Sequence, residues 1–415
     1  MAKNNQTKIA VLGSGPAGIV TAIGLSKMGY DVYVIASIRQ HNVTEGISER
    51  VYQALANLHL HHAVKEIGVP IPRSVSWNGT HNAANTERLI SRMSFDTALL
   101  KDLTDANISF YNESIVKVET QTNECVIYCK SGKNFTADFI VEARGRTAPC
   151  SKGAQLKGAE SLSICQNWKT VNPQLMSPQA IAISIENGWL WLANNGKGNI
   201  FTQVSVSAKS SSKSTKEKLS SFIHRHLLSR TELSHITPYI DLDGKALARS
   251  STPIFNKTAV KERYLCVGDA AMSVDPLSGN GIFQSLSSAL IAPVVINTIL
   301  KKPQNKVLAE TLYIERLHHL FYRFSRIGRD FYKMESRWQT NPYWEERCAW
   351  PDQILAHQEK DRIIGTAKRP VVNGDFIEEK EVVITAEQPL GIWKINNKDA
   401  IDVLSTQLKK LNIIP

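Results

Sequence analysis

The sequence predicts an α/β fold with a parallel sheet covered on both faces, and three observations predict it. Ile9 to Leu12 are four consecutive apolar residues, the pattern of a parallel strand with no wet side. Ile19, Ala22 and Ile23 then recur at helical spacing, and Asp31 to Ile35 form a second β-rich run. Between the first strand and the helix stands Gly13-Ser14-Gly15-Pro16-Ala17-Gly18, a G-x-G-x-x-G in the place where a dinucleotide-binding, Rossmann-like unit requires it.

Each glycine of that turn has its own physical task. Gly13 permits the tight turn, Gly15 lets a pyrophosphate touch backbone, and Gly18 lets helix and strand pack closely. Ser14, Pro16 and Ala17 carry the chain into a helix whose first N–H groups and partial positive charge face the phosphates. The second strand departs from the usual pattern. It ends in Ala36-Ser37 where an acid commonly binds the ribose, so Ser37 is the predicted ribose contact, without charge assistance. Arg39 and Arg50 are candidates for phosphate or ribose contacts.

The 415 residues suffice for two domains, or one with a large insertion. Hydrophobic residues at 42% and charged residues at 21% are ordinary for a globular chain. The net charge of +11 favours acidic partners, but no nucleic-acid-binding motif accompanies it. The six cysteines lack metal-ligand spacing and read as reduced and structural, with Cys125 and Cys129 on one sheet face. No apolar stretch precedes the first strand, so a cytoplasmic protein without a signal peptide is expected. The longest apolar run, Leu286 to Leu300, is shorter than a membrane span.

Residues 44–66 read as helical, and Leu89 to Leu103 as an amphipathic helix. Strand-like runs follow at Phe110–Val118, Glu124–Tyr128 and Phe139–Val141. From about 160 to 250 the chain turns rich in Ser, Asn and Trp, with short strands such as Ala180–Ile185 and Thr202–Val206. Lys209–Lys218 reads as an exposed loop entering a helix at Phe222–Leu228. The expected division is therefore a discontinuous nucleotide-binding domain at 1–160 and 255–305. An inserted substrate β-sheet domain occupies 161–254 with parts of 65–95, and 306–415 form a C-terminal helical region and tail.

A second fingerprint lies far downstream. Residues 265–283 read LCVGDAAMSVDPLSGNGIF, and this strand, Gly268-Asp269, Asp275-Pro276, Gly279-Asn280-Gly281 and helix resemble the second FAD motif of aromatic hydroxylases and flavin-dependent halogenases. The resemblance implies non-covalent FAD, with Asp269 on the ribityl chain. The turn from Pro276 to Gly281 would start a helix aimed at the pyrimidine end of the flavin, where reduced flavin is anionic. Arg92-Met93-Ser94-Phe95-Asp96 leading into Leu99 is similar to the family's R-x-x-F-D-x-x-L helix start, which implies that Arg92 approaches the cofactor. Val116 lies on the strand that, by resemblance, covers the adenine, and Phe139–Arg146 match the return to the phosphates.

Gly188-Trp189-Leu190-Trp191 resembles the W-x-W segment of tryptophan halogenases, but Ala193-Asn194 stands where that family has Ile-Pro. Other segments resemble flavoprotein maturases of tryptophan-derived quinone cofactors: 44–50 (TEGISER), Phe331-Tyr332 with Glu335-Ser336-Arg337, Pro342–Arg347, and Arg369-Pro370-Val371 through Trp393. That likeness implies oxygen insertion on an indole, in a tryptophan of the precursor of a quinone-bearing amino-acid or amine oxidase. A separate electron donor is compatible with it. Two readings compete: a small-molecule hydroxylase or halogenase with a closed pocket, and a flavin-stabilised chaperone without turnover. No general base is assigned. Glu345, Glu346, His59, His61 and His62 are available, and the histidines do not share the helix face that a metal needs.

Overall fold

The computed structural model describes residues 6–121, 124–149, 154–172, 174, 176–211, 219–357 and 360–413. Cys150 and most of the predicted loop at 209–218 lie outside them. Strand β1 (Lys8–Leu12) feeds the glycine turn into α1 (Pro16–Lys27), and the chain returns as β2 (Asp31–Ala36). The stretch 44–66, expected to be helical throughout, instead opens with strand β3 (Thr44–Ile47) before α2 (Glu49–Asn57) and α3 (His61–Lys65). A hairpin follows, β4 (Pro70–Trp77) and β5 (Thr80–Ser91), turned by Asn78-Gly79 with φ of 52° and 75°. Both values belong to the primed turn that matches strand twist. Leu89 and Ile90 are the end of β5, so the helix expected from Leu89 starts at Arg92, as α4 (Arg92–Asp105).

Next come β6 (Ser109–Asn112), β7 (Ile115–Thr120), β8 (Cys125–Cys129), β9 (Asn134–Ala137) and β10 (Phe139–Glu142). The middle of the chain supplies β11 (Gln155–Lys157), β12 (Ser161–Thr170), β13 (Gln179–Ile185), β14 (Gly188–Asn194) and β15 (Asn199–Ser207). Helices α5 (Ala208–Ser211) and α6 (Leu219–Leu228) lead to β16 (Ile240–Ser250). Short strands β17 (Ile254–Asn256), β18 (Val260–Lys261), β19 (Tyr264–Cys266) and β20 (Met272–Ser273) precede α7 (Gly281–Lys301), α8 (Lys306–Lys333) and α9 (Pro342–Ala349). The region beyond 306 is not helical throughout. It carries a long hairpin, β21 (Ile363–Asn373) and β22 (Phe376–Thr385), before a minor hairpin and α10 (Ala400–Lys410).

Two large sheets organise these elements. The first runs β18-β19-β10-β1-β2-β6, parallel except for β18. One face packs on α1, α7 and α8 through Ile9, Val11, Val34 and Val141, and the other on β7-β8-β9 through Leu12, Ile35, Ile127 and Cys129. Burial on both sides explains the unbroken apolar run of β1. The second sheet has eight strands in the order β16-β12-β15-β14-β13-β4-β5-β3. On one face Ile183, Leu190 and Val204 pack against Ile223 and Leu227 of α6. The opposite face carries Trp189 and Trp191 and looks toward α8 and α9.

Helix α7 spans 21 residues and is long and apolar enough to cross a bilayer by length and composition. The shorter estimate from Leu286–Leu300 missed its first turn. Two-thirds of its apolar window is buried against neighbouring elements, including α1, where Pro293 lies over Gly24. Core packing accounts for its composition.

Candidate active site

The glycine turn divides its labour as close packing demands. Gly13 adopts φ +123°, and a Cβ there would stand 2.3 Å from the Ala143 carbonyl oxygen at the end of β10. A Cβ on Gly18 would stand 2.0 Å from the Gly13 oxygen. A Cβ on Gly15 would meet nothing within 4 Å, so its bare backbone faces open space. Gly15 is also the N-cap of α1, and no side chain caps that helix, so its first N–H groups remain available to an anion.

The second fingerprint closes on the first, although 250 residues separate them in the chain. A Cβ on Gly268 (φ +59°) would lie 2.8 Å from Ala17 Cβ, so the two glycine turns touch. Asp269 follows in a one-turn 3₁₀ helix, its carboxylate 3.4 Å from Arg146 Nε and its side chain 36% exposed. Desolvation raises its pKa, and the Arg146 guanidinium opposes that rise. The segment then makes a turn at Pro276–Ser278, capped by Asp275, whose Oδ1 accepts from the Leu277 N–H at 2.9 Å. Gly279 is left-handed at φ +64°. Neither it nor Gly281, the first residue of α7, would bring a Cβ near anything. Asn280, the N-cap of α7, donates from its side chain back to the Ser278 carbonyl and leaves the helix end uncapped. Three open glycines and two uncapped helix N-termini fit a dinucleotide with a pyrophosphate at one end and an anionic ring at the other.

The remaining expected contacts take varied positions. Ser37 follows β2, and its Oγ is 2.8 Å from Ser114 Oγ. Arg39 pairs with Asp96 at 2.7 Å. Arg50 stands exposed in the first turn of α2 and makes no ion pair among the described residues. Arg92 is largely buried and already doubly neutralised, 2.7 Å from Glu45 and 3.0 Å from Asp96. Desolvation works against its charge, but those two carboxylates outweigh it and raise its pKa. Val116 is 63% exposed on β7.

Sequence reasoning assigned no role to Asp275, which lies at the centre of a buried polar chain. Its Oδ2 accepts from Tyr332 Oη at 3.1 Å, and Tyr332 Oη in turn accepts from Trp189 Nε1 at 3.2 Å and lies 3.4 Å from Tyr343 Oη. Arg347 stacks over the Tyr343 ring at 3.7 Å and donates to Ser161 Oγ at 2.6 Å. Desolvation raises the Asp275 pKa despite the Leu277 N–H that favours its charged form. The segments 331–337 and 342–347 thus clamp the second sheet to the second glycine turn. Glu335 completes the clamp: it binds Arg337 and accepts from the Asn78 N–H at 2.8 Å. Burial would raise its pKa, but these donors win and hold it at about 2.

The inner face of the second sheet is partly open at β14. Trp191 is the only residue of β14 that keeps appreciable exposure, although β14 lies between β13 and β15. Gln203, its register partner on β15, is likewise the partly exposed residue between buried neighbours. Partial exposure at the middle of an interior strand leaves a recess on that face, which forms the candidate substrate chamber. Glu87 of β5 reaches into it and accepts from Trp191 Nε1 at 3.2 Å. A Cβ on Gly46 would stand 2.3 Å from Glu87 Oε2 and 3.2 Å from the Trp191 ring. Gly46 has no positive φ, so what its missing side chain provides is room for the Glu87 carboxylate beside the Trp191 ring.

Residues 6–308 match the FAD-binding domain family, and the chain belongs to it. It is an FAD-dependent oxidoreductase of the monooxygenase type, and FAD is its cofactor. More particularly, it is similar to the solved structure of QhpG, a peptidyl tryptophan dihydroxylase essential for tryptophylquinone cofactor biogenesis. The two are 36% identical with a TM-score of 0.85, over 98% of this chain and 93% of that one. The flavin-dependent halogenase CmlS superposes with a TM-score of 0.79 over 99% of this chain and 93% of its own, at 15% identity, a likeness of fold. The tryptophan 2-halogenase of Chondromyces crocatus is 22% identical over 387 residues, 86% of this chain and 72% of that protein.

Proposed function

We propose that this enzyme hydroxylates a tryptophan side chain of a precursor protein during tryptophylquinone biogenesis. One observation carries the reading: segments 44–50, 331–337 and 342–347, which resemble quinone-cofactor maturases, come together at one sheet beside the second glycine turn. The 36% identity to a peptidyl tryptophan dihydroxylase over nearly the whole length of both chains supports it. FAD held there would use two electrons from a separate donor to activate O₂, one atom of which would enter the ring while the other leaves as water.

The chain's own residues bind, orient and exclude water. Gly13, Ser14, Gly15, Pro16, Ala17 and Gly18 cradle the pyrophosphate, Ser37 and Arg50 contact ribose and phosphate, and Val116 covers the adenine. Asp269 takes the ribityl hydroxyls. Gly268 and the turn Pro276, Gly279, Asn280 and Gly281 present the N-terminus of α7 to the flavin. Arg92 acts through Glu45 and Asp96 to hold β3 against α4 at the edge of the chamber. The chamber floor of Trp191, Gln203 and Glu87 receives the target ring, and the Tyr332 clamp fixes that floor relative to the flavin.

Co-expression of a quinone-bearing oxidase with and without this enzyme tests the reading by intact mass. The precursor tryptophan should gain oxygen only when the enzyme is present. Equal maturation of the oxidase without it, or efficient oxidation or halogenation of free tryptophan, would replace this reading with the small-molecule one.

A further inference from the structure

We infer that Glu87 is the specificity-determining acceptor for the indole N–H of the substrate ring, a role that rests on the tryptophan reading above. Glu87 Oε1 already accepts an indole N–H, that of Trp191, at 3.2 Å. Its second oxygen, Oε2, has no hydrogen-bond donor among the described residues and is not a buried unsatisfied atom, so it keeps access to solvent beside the Trp191 ring. Oε2 owes that position to Gly46, where any Cβ would stand 2.3 Å away. A strand residue without a side chain, a carboxylate with one free oxygen and a partly exposed tryptophan in an interior strand converge on one point. The surface they make suits a flat ring with one N–H at its edge.

The charged groups around Glu87 are few. Arg73 faces it from β4, with Nε buried and unpartnered and Nη1 only 3.5 Å from Asn85 Oδ1. Glu45 on β3 is committed to Arg92, and Arg88 on β5 is committed to Glu49 and the Gly68 carbonyl. Burial raises the Glu87 pKa from its ordinary value, while Arg73 and the Trp191 N–H oppose that rise. The ionised carboxylate is the stronger acceptor. An indole N–H held there leaves more electron density on the ring carbons that an electrophilic oxygen attacks. A ring lacking the N–H would leave Oε2 desolvated and unpaired.

The test uses the FAD-loaded enzyme with indole and 1-methylindole as probes, followed by equilibrium titration of the flavin spectrum. Indole should bind at least about tenfold more tightly than 1-methylindole, the ratio expected for a hydrogen bond to a charged group. E87A should bring the ratio close to one. E87Q keeps the side-chain volume and one acceptor oxygen. It should reduce the ratio less and abolish the loss of selectivity that the wild type shows on acidification. G46A leaves Glu87 in place but pushes its carboxylate off position, and should also lower the ratio. FAD stoichiometry checks folding, and if E87A does not fold, the pH profile of E87Q decides. Equal affinity for the two probes, no indole binding, or an E87Q variant whose selectivity falls on acidification as steeply as the wild type's overturns the inference. Indole selectivity without hydroxylation of any precursor would instead overturn the functional reading and leave Glu87's role intact.

Discussion

At the phosphate end of the site the contact surface is bare backbone: Gly15, Gly279 and Gly281 face open space, and the nearest helices are left uncapped. The chamber end is built from side chains, with Trp191, Gln203 and Glu87 arriving on three strands and Tyr332 reaching in from α8. Backbone recognises what all FAD molecules share and tolerates almost any surroundings. Side chains recognise one ring and depend on register across a whole sheet. The two ends should therefore fail in different ways when altered.

The largest effect should come from Gly18. A valine there drives Cβ to 2.0 Å from the Gly13 oxygen, a backbone atom that cannot yield, and the protein should not accumulate in folded form. Gly15→Val meets no protein atom, so thermal unfolding of the FAD-free protein should match wild type while FAD is lost on gel filtration. If Gly15→Val unfolds the protein, or retains FAD, the division between structural and ligand-facing glycines is wrong. Wild-type protein, by contrast, should release all of its flavin as FAD on denaturation. Flavin left on the chain would disprove a non-covalent site.

A smaller loss should follow from removing single polar groups at either end. Asp269→Ala deletes a charge-assisted contact to the cofactor worth about 1.5–3 kcal/mol, or roughly 10- to 150-fold in FAD affinity, with little change in the fold. Tyr332→Phe acts at the opposite end. It leaves Asp275 Oδ2 and Trp189 Nε1 without their shared partner in a buried place, and should cost stability by about 1–3 kcal/mol. Its FAD affinity should stay near wild type. Weakened FAD binding and unchanged stability in Tyr332→Phe would place the clamp in the cofactor site and not in the scaffold.

The same contrast governs what the sequence disclosed. The glycine turns were legible because backbone geometry demands one residue type at fixed spacing, and the FAD assignment followed. The resemblance of 331–337 and 342–347 to maturases was also legible, but not what those segments do. Tyr332 meets Asp275 and Trp189 only after three distant stretches are folded together. Thr44–Ile47 reads locally as the start of a helix, and its pairing with Arg88–Ser91 of β5, some forty residues away, makes it a strand. Gly46 did hold a usable signal: a glycine beside residues that form a strand points to close approach by something else. The hairpin of β21 and β22 was missed although Gly374-Asp375 makes a two-residue loop between its alternating arms.

Acidity should separate the two buried carboxylates by the donors that surround them. The folded-state pKa of Asp275 is raised above its unfolded value, so its contribution to stability is full below the unfolded pKa and is lost as pH rises through the folded one. Asp275→Asn should therefore unfold at a higher temperature than wild type at neutral pH, and the gap should close on acidification. Glu335 has the opposite sign. Its pKa is held at about 2, so the stability it contributes is present above the ordinary carboxylate range and fades as pH falls toward 2. Glu335→Gln should lose stability at neutral pH and converge with wild type in acid. Parallel pH profiles for the two variants would mean that the same force holds both carboxylates.

Salt should produce the smallest effect, and one confined to the approach of the partner. A chain with net charge +11 attracts an acidic precursor from a distance, and that attraction acts through water. The Debye length falls from about 30 Å at 0.01 M to about 8 Å at 0.15 M ionic strength, so the association rate should drop as salt rises. Contacts inside the chamber are short-range and partly buried and should respond far less, which leaves the dissociation rate and the preference for indole over 1-methylindole nearly constant. Stopped-flow mixing of the FAD-loaded enzyme with the precursor across this salt range measures both rates. A dissociation rate that climbs with salt as steeply as the association rate falls would mean that surface charge, and not the chamber, holds the substrate in place.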